Sequence, residues 1–403
     1  MSYFESILLN PNSVSLDAGS RLRVSQLTTL MDGKILNSDN PFVWDNQGTG
    51  TGLYNANKYN MSVTAGQFFV RQSRCFTPYY AGKSQLIECT FDNFQVQANV
   101  IKRAGYFSSN AVSPFASTYD GFYLENNGTT IKLKAERAGV TTIDVDWTNW
   151  DNYDLISGYD WSTFTVIAFD FLWLGGAQLR IFLKTDLGFV LAHTVAYSGT
   201  ATDVFILSPN QPIRYEIRST TGTGSFRYIC SQVSTEGSIN EAGYNNSVNS
   251  LLIAGVPSNT VSTIGTTYPL KGIRKKVANR NNSVKLTGAT IFVSSASDIL
   301  LWSIQLNPIL SAPLTYVDVV NSAIQEANGS AVAAISTTVV TKGRTLVSGI
   351  ISQNGVVPAG GFAEDFLQFL GCSLNNTMDE LVLCVTPIST NINVNATMNF
   401  KEY

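Results

Sequence analysis

The sequence predicts a mainly β protein, with an antiparallel β-sandwich or jelly-roll-like core flanked by β-rich N- and C-terminal regions. Two observations over its 403 residues support this prediction. Charged residues make up only 14% and aromatic residues reach 11%, so Ser, Thr and Asn take over much of the surface role of Lys and Glu. Runs of aromatic and β-branched residues also recur between turns rich in Gly, Pro, Asn and Ser.

The first predicted region, residues 1–100, is a β-rich docking region in which short strand-like runs alternate with glycine-rich turns. The tripeptide Gly82-Lys83-Ser84 matches only the end of a nucleotide-binding loop. Thr77 stands where that loop requires its first glycine, and no helix-start pattern follows. The sequence therefore predicts a turn between two strands here and no bound cofactor.

Residues 101–240 have the clearest strand pattern and are predicted to form a β-sandwich of the jelly-roll or lectin-like type. Residues 164–174 (FTVIAFDFLWL) are almost continuously apolar, as in a strand buried on both faces. In residues 213–218 (IRYEIR), Ile and Tyr alternate with Arg and Glu, which places apolar and charged side chains on opposite faces.

The third predicted region, residues 241–403, is a β-rich C-terminal domain that begins at a polar, turn-rich stretch. Most of its apolar runs are short and rich in β-branched residues, as in strands. Two segments, 317–327 and 362–371, are predicted as short helices. In the second, Phe residues recur at helical spacing before Gly371.

Charge and motif content argue against several classes of function. A net charge of −3 provides no general attraction to nucleic acid or to an anionic membrane. No stretch is long and apolar enough to predict a membrane span, and the five cysteines have neither metal-site nor disulfide spacing. His193 is the single histidine, which rules out a zinc site built on several histidines. No catalytic residue, metal site or cofactor is predicted.

An acidic and aromatic stretch is the candidate glycan or interface site. Asp144 and Asp146 occupy alternate positions, as in the carboxylate pairs of some glycosidases, but the third acid expected soon after them is missing. Sugar binding without chemistry, and a calcium site made by clustered aspartates, are open alternatives. The residues of the stretch are Asp144, Asp146, Trp147, Trp150, Asp151, Asp154 and Trp161.

A basic cluster within residues 271–285 is the candidate docking patch. No Asp or Glu occurs between Ala242 and Ser297, so the cluster has no opposite charge nearby in sequence. It fits either a solvated loop or a surface that meets an acidic partner. Few aromatic residues interleave with it, which makes nucleic acid an improbable partner. Its members are Lys271, Arg274, Lys275, Lys276, Arg280 and Lys285.

Residues 20–34, 81–94, 169–183 and 209–219 resemble passages of virion structural proteins from tailed phages and related large DNA viruses. The similarity covers about residues 13–240. It lies in the general style of the sequence and includes no diagnostic motif, so it carries over no functional residue. It implies a non-enzymatic, capsid- or tail-associated protein that is assembled in the host cytoplasm and contacts other virion proteins.

We therefore expect a homo-oligomeric structural component of the phage tail, neck or capsid surface. The alternative is a host-recognition protein that binds a surface glycan, with glycan depolymerisation less favoured. A further expectation concerns assembly: the aspartate-rich stretch 144–170 of one subunit lies against the basic cluster of a neighbour, a contact that can close into a ring.

Overall fold

Strands dominate the computed structural model, at about 58% of the chain against about 3% helix. The predicted mainly β, antiparallel fold class is confirmed. The chain divides into two units, residues 1–239 and 240–403. The structure describes residues 16–18, 25–35, 37–109, 118–174, 178–186, 188–237, 243–250, 259–293, 299–330, 334–352, 356–359, 369–389 and 391–403.

The strands described in the first unit form two antiparallel sheets. In chain order they are β1 (Leu27–Asp32), β2 (Trp44–Gly48), β3 (Thr51–Asn55), β4 (Lys58–Val63), β5 (Phe68–Ser73), β6 (Gln85–Asp92), β7 (Val100–Ser109), β8 (Tyr119–Asn126), β9 (Ile131–Arg137), β10 (Val140–Asp146), β11 (Thr165–Leu172), β12 (Gln178–Thr185), β13 (Gly188–Ala196), β14 (Ile213–Ser219) and β15 (Gly224–Glu236).

The first sheet has the strand order β13-β12-β11-β6-β15-β4-β3, with β1 paired to the far end of β15. The second sheet has the order β10-β9-β8-β7-β14-β5-β2. Strands from residues 1–100 and from residues 101–240 thus lie side by side in both sheets. The prediction of two separate regions there is wrong, because the pairing of β6 with β11 and β15 joins segments far apart in sequence.

Aromatic side chains fill the space between these two sheets. Phe122 of the second sheet lies 5.3 Å from Phe169 and 5.1 Å from Phe171 of the first, between ring centroids. Tyr215 of the second sheet lies 5.9 Å from Phe226 of the first. Each of these rings is almost fully buried, so their burial is a main source of sandwich stability.

Thirteen strands are described in the second unit. They are β16 (Tyr244–Asn249), β17 (Asn259–Val261), β18 (Tyr268–Lys275), β19 (Val284–Val293), β20 (Ile299–Leu306), β21 (Ile309–Leu310), β22 (Val317–Asp318), β23 (Ile324–Asn328), β24 (Val339–Thr341), β25 (Arg344–Ser352), β26 (Val356–Ala359), β27 (Glu380–Pro387) and β28 (Ile392–Glu402).

The second unit also consists of antiparallel sheets. One has the order β16-β28-β19-β26, with β17 also on β28; another has the order β22-β23-β18-β27-β20-β25; and β21 pairs with β24. The helix predicted over 317–327 is wrong, because this segment forms β22, a turn and β23. Asn321 adopts a left-handed φ of +55° in that turn, which interrupts any helix. The helix predicted over 362–371 falls mostly outside the described residues.

Helical structure is confined to short turns in the described residues. They are α1 (Tyr153–Ile156) and the 3-10 turns Trp147–Asn149 and Val277–Asn279. Within the same part of the chain, no helix has the length and apolarity needed to cross a membrane.

Candidate functional site

Asp144 and Asp146 extend from β10, but each is already engaged by neighbouring groups. The Asp144 carboxylate pairs with Lys132 Nζ at 3.0 Å. Asp146 caps the 3-10 turn that follows it, accepting hydrogen bonds from Thr148 N at 3.1 Å and from Thr130 Oγ1 at 2.6 Å. Burial raises the pKa of Asp146, but these hydrogen bonds outweigh it and lower the pKa below its usual value. Asp146 is therefore not poised to donate a proton at neutral pH.

The three tryptophans do not form an open platform for stacking a sugar. Trp150 and Trp161 are only 3% and 6% exposed. Trp150 stacks on the imidazole of His193 with ring planes 6° apart. The half-exposed Trp147 packs edge-on against Trp161, with ring centroids 5.7 Å apart. The segment folds back onto β13 and buries the rings of Trp150 and Trp161, so these two cannot stack on a sugar.

Asp151 fixes this fold-back by contacts with β13. Its carboxylate accepts from Thr194 N at 2.8 Å and lies 3.0 Å from His193 Nδ1. Burial lowers the pKa of His193 despite this carboxylate. Asp154 is exposed in the first turn of α1. Within the described part of the chain, no group of three His, Cys, Asp or Glu residues could hold a metal ion, so the aspartates do not form the hypothesised calcium site.

The basic cluster is not an open docking patch. Lys271 and Lys275 are each only 1% exposed, and Lys285 is 3% exposed. Lys271 forms an ion pair with Glu326 and donates to Asn328 Oδ1 at 2.8 Å. These partners lie on β23, more than 50 residues further along the chain.

Three other members of the cluster, Arg274, Lys276 and Arg280, also form ion pairs or hydrogen bonds within the second unit. Arg274 pairs with Glu380 at 3.2 Å. Lys276 lies 3.7 Å from Asp318 and donates to the carbonyl of Val319, and Arg280 donates to Asn376 Oδ1 at 2.7 Å. The cluster does not form the predicted open patch, because strand pairing brings acids from distant sequence beside Lys271, Arg274 and Lys276. Lys275 and Lys285 are buried. The proposed ring contact with the aspartate-rich stretch loses its basis for the same reason.

A buried charge network, missed in the sequence, lies on the face of the second sheet that points away from the first sheet. Glu216 is its centre and accepts from Arg214 Nε at 2.6 Å, from Arg103 Nη1 at 3.0 Å and from Tyr119 Oη at 3.1 Å. Arg103 Nε also donates to Glu125 Oε2 at 2.7 Å. The alternation of residues 213–218 indicated two faces, but it did not indicate that both would be buried.

Two tyrosines complete this network on β8. Tyr119 donates to Glu216, and Tyr123 donates to Glu136 Oε1 at 2.6 Å. Burial raises the pKa of both phenols above the usual range, so they remain protonated donors. Because the glutamates are already paired with arginines and phenols, the network stabilises the sheet and leaves little capacity to bind a ligand.

A polar cleft of about 540 Å³ opens at the end of the first unit where β4, β6 and β14 run out into loops. Twelve residues line it and none is charged; Val63, Val96 and Gly224 are the three without a polar side chain. The nine that carry a hydroxyl or an amide are Thr51, Ser62, Thr64, Gln67, Asn93, Gln95, Gln97, Thr223 and Ser225.

One wall of the cleft, the segment 93–97, is held from beneath by two fully buried polar side chains. Asn126 Nδ2 donates to the carbonyls of Phe94 and Gln95, each at 2.7 Å. Lys102 Nζ donates to the carbonyl of Asn93 at 2.6 Å and to that of Gln95 at 3.4 Å. Buried donors of this kind fix a loop that has no ladder of its own.

The side chains of this wall are themselves ordered, with one exception. Asn93 adopts a left-handed φ of +61°, which Asn tolerates, and its amide donates to Ser225 O at 2.9 Å. The side-chain carbonyl oxygen of Gln95 is buried and accepts no hydrogen bond from the described part of the chain. A buried acceptor without a donor is unfavourable.

No charge pattern or motif marks this cleft in the sequence, which is why it was missed. The segment DNFQVQANV reads as an ordinary turn-rich loop. The repeated Gln at 95 and 97 is the one signal that could have indicated a polar wall. Its partners, near residues 64 and 225, are brought beside it only by the sheet topology.

Neither a protein-family model nor a curated protein matches this chain. Among solved structures, the chain is similar to a conserved carbohydrate esterase from the Shiga toxin-encoding bacteriophage phi24B, with 14% identity, a TM-score of 0.34, and coverage of 53% of this chain and 100% of the esterase chain. It is also similar to arcelin-5, a lectin-like defense protein from Phaseolus vulgaris, with 12% identity and a TM-score of 0.34. That match covers 52% of this chain and 98% of the arcelin chain. A third similar structure is a protein of unknown function from Shewanella oneidensis MR-1, with 15% identity and a TM-score of 0.36. The match covers 60% of this chain and 98% of that protein. Similarities of this extent transfer neither a function nor a site.

Proposed function

We propose that this protein binds neutral glycans without cleaving them, through the polar cleft of its first unit. The observation that carries the proposal is a cleft lined only by uncharged side chains, mostly amides and hydroxyls. Amides and hydroxyls both donate and accept hydrogen bonds, as sugar hydroxyls do. A charged ligand would instead enter a cleft that offers no opposite charge.

The lining also supports a binding role over a catalytic one. Glycoside hydrolysis requires a pair of carboxyl groups beside the scissile bond, and no residue that lines the cleft has an ionisable side chain. The acids first considered for that chemistry, Asp144 and Asp146, are held by Lys132, Thr130 and Thr148 outside the cleft.

We propose that this binding takes place at the surface of a virion. The resemblance of residues 13–240 to virion structural proteins supports a component of a phage particle, and glycan binding would make it a host-recognition protein. Homo-oligomerisation and contact with other virion proteins belong to the same proposal. Multiple copies would raise the avidity of a cleft that binds each sugar weakly.

Titration of the full chain with neutral and acidic oligosaccharides tests the proposal. We expect binding of a neutral oligosaccharide in the millimolar to micromolar range and no binding of its uronic-acid counterpart. Gln95→Ala should weaken binding about tenfold, which corresponds to the loss of about 1.4 kcal/mol. Gln178→Ala is the matched control, because Gln178 lies on β12 and is not part of the cleft.

Three results would contradict the proposal. They are a failure of every neutral oligosaccharide to bind, equal effects of the Gln95 and Gln178 substitutions, or release of reducing ends from a bound glycan. The last result would point to an enzyme with its acids elsewhere in the chain.

A further inference from the structure

A lysine is buried directly beneath the wall 93–97 of the cleft, and no acid in the described part of the chain forms an ion pair with it. Lys102 lies on β7 with its side chain in the sandwich interior and is 0% exposed. Its ammonium donates to the backbone carbonyls of Asn93 and Gln95. Burying an ammonium group costs several kcal/mol, and apolar residues fill most of this interior.

We propose that Lys102 is a positioning residue for the cleft: it holds the segment 93–95, and with it the side chain of Gln95, in place as one wall of the cleft. This inference rests on the proposed glycan-binding function. Lys102 itself does not line the cleft, so it acts only through the segment that it supports.

The choice of partners supports a positioning role. Both carbonyls that Lys102 contacts belong to the cleft wall, and Asn126 reaches the two carbonyls of Phe94 and Gln95 from the neighbouring strand β8. A methionine of similar length would fill the same space without the cost of burying a charge. The cost of burying the ammonium is therefore offset only by the hydrogen bonds that fix the geometry of residues 93–95.

The surroundings of Lys102 determine how it titrates. Burial alone lowers the pKa of its ammonium to about 8, with no contribution from a charged neighbour. Its cross-strand neighbours are Asn126 on β8 and Ile217 on β14. Asp92, the acid closest in sequence to the wall, pairs instead with Lys58 and Arg227. Arg103, the next residue on β7, points to the opposite face of the sheet.

The proposal predicts that glycan affinity falls as the pH rises from 7 to 9.5. Above pH 8 the amine of Lys102 is mostly neutral, and a neutral donor makes a hydrogen bond about half as strong as a charged one. We expect an affinity loss of about three- to tenfold in the native protein. Lys102→Met should bind about tenfold more weakly at pH 7 and show no further loss at pH 9.5.

The experiment uses the full chain, neutral tetrasaccharides of glucose, mannose and galactose as probes, and hydrogen exchange without any probe. Exchange of the amides of Asn93 and Phe94, which donate to the carbonyls of Ser162 and Trp161, should speed up in Lys102→Met. Lys132→Met is the control, because this lysine lies on β9, beside the edge strand of the second sheet, and pairs with Asp144. It should leave both the exchange and the pH profile unchanged.

The outcomes separate this inference from the proposed function. Unchanged exchange at Asn93 and Phe94 in Lys102→Met would overturn the positioning role whether or not a glycan binds. Faster exchange with no probe bound by the native protein would uphold the support of the wall and overturn glycan binding. A pH profile that Lys102→Met shares with the native protein would also overturn the positioning role.

Discussion

At the residue scale, Glu216 shows how much a fully buried acid depends on its partners. It is 0% exposed and accepts hydrogen bonds from Arg103, Arg214 and Tyr119. The sequence places it on the charged face of β14, but its cross-strand partner Arg103 follows only from the register of β14 with β7. Its charge is tolerable because two guanidinium groups surround it.

We expect Glu216→Ala to lower the free energy of unfolding by about 3–5 kcal/mol, because it leaves two buried guanidinium groups without their shared carboxylate. Urea denaturation of the full chain measures this change. Asp144→Ala, which removes a carboxylate that is 40% exposed, is the control and should cost less than about 1 kcal/mol. Equal costs for the two variants would show that the network is not buried as described.

At the element scale, the loop 93–97 is ordered by side chains from other elements. Turn-rich composition predicts a loop here, and it correctly predicts the turn at Gly82, where φ is +81° before β6 begins. It does not predict the hydrogen bonds that support the longer loop, because Asn126 and Lys102 reach it from strands that follow it in the chain. Long-range support of this kind has no local sequence signal.

Asn126→Ala should destabilise the first unit by about 2–3 kcal/mol. The change removes two donated hydrogen bonds to the loop carbonyls and the acceptor for Gly128 N, all of them buried or partly buried. It should also weaken glycan binding, because the wall loses support. Asn55→Ala, at the exposed end of β3, is the comparison and should change neither quantity. If the Asn126→Ala variant is destabilised but binds glycan normally, the support of the loop 93–97 does not contribute to binding.

At the scale of the whole molecule, the alternating and continuous apolar patterns correctly predicted an antiparallel sandwich. They could not show that strands from residues 1–100 pair inside it, because the register of β6 between β11 and β15 depends on contacts up to 150 residues apart. The same limit explains the basic cluster, whose acids lie on β22, β23 and β27. In the two sites drawn from local charge, the fold buries Trp150 and Trp161 and three of the six basic side chains. The neutral cleft had no charge to reveal it.

Side-chain amide NMR of the full chain, labelled with ¹⁵N only at glutamine, tests glycan binding by the cleft most directly. On addition of a neutral tetrasaccharide, we predict that the resonances of Gln95 and Gln97 shift in a saturable manner, while that of Gln178 on β12 stays in place. Saturable binding that leaves Gln95 and Gln97 unshifted would contradict the assignment of the site. The absence of any shift with glucose, mannose and galactose probes at millimolar concentration would contradict glycan binding itself.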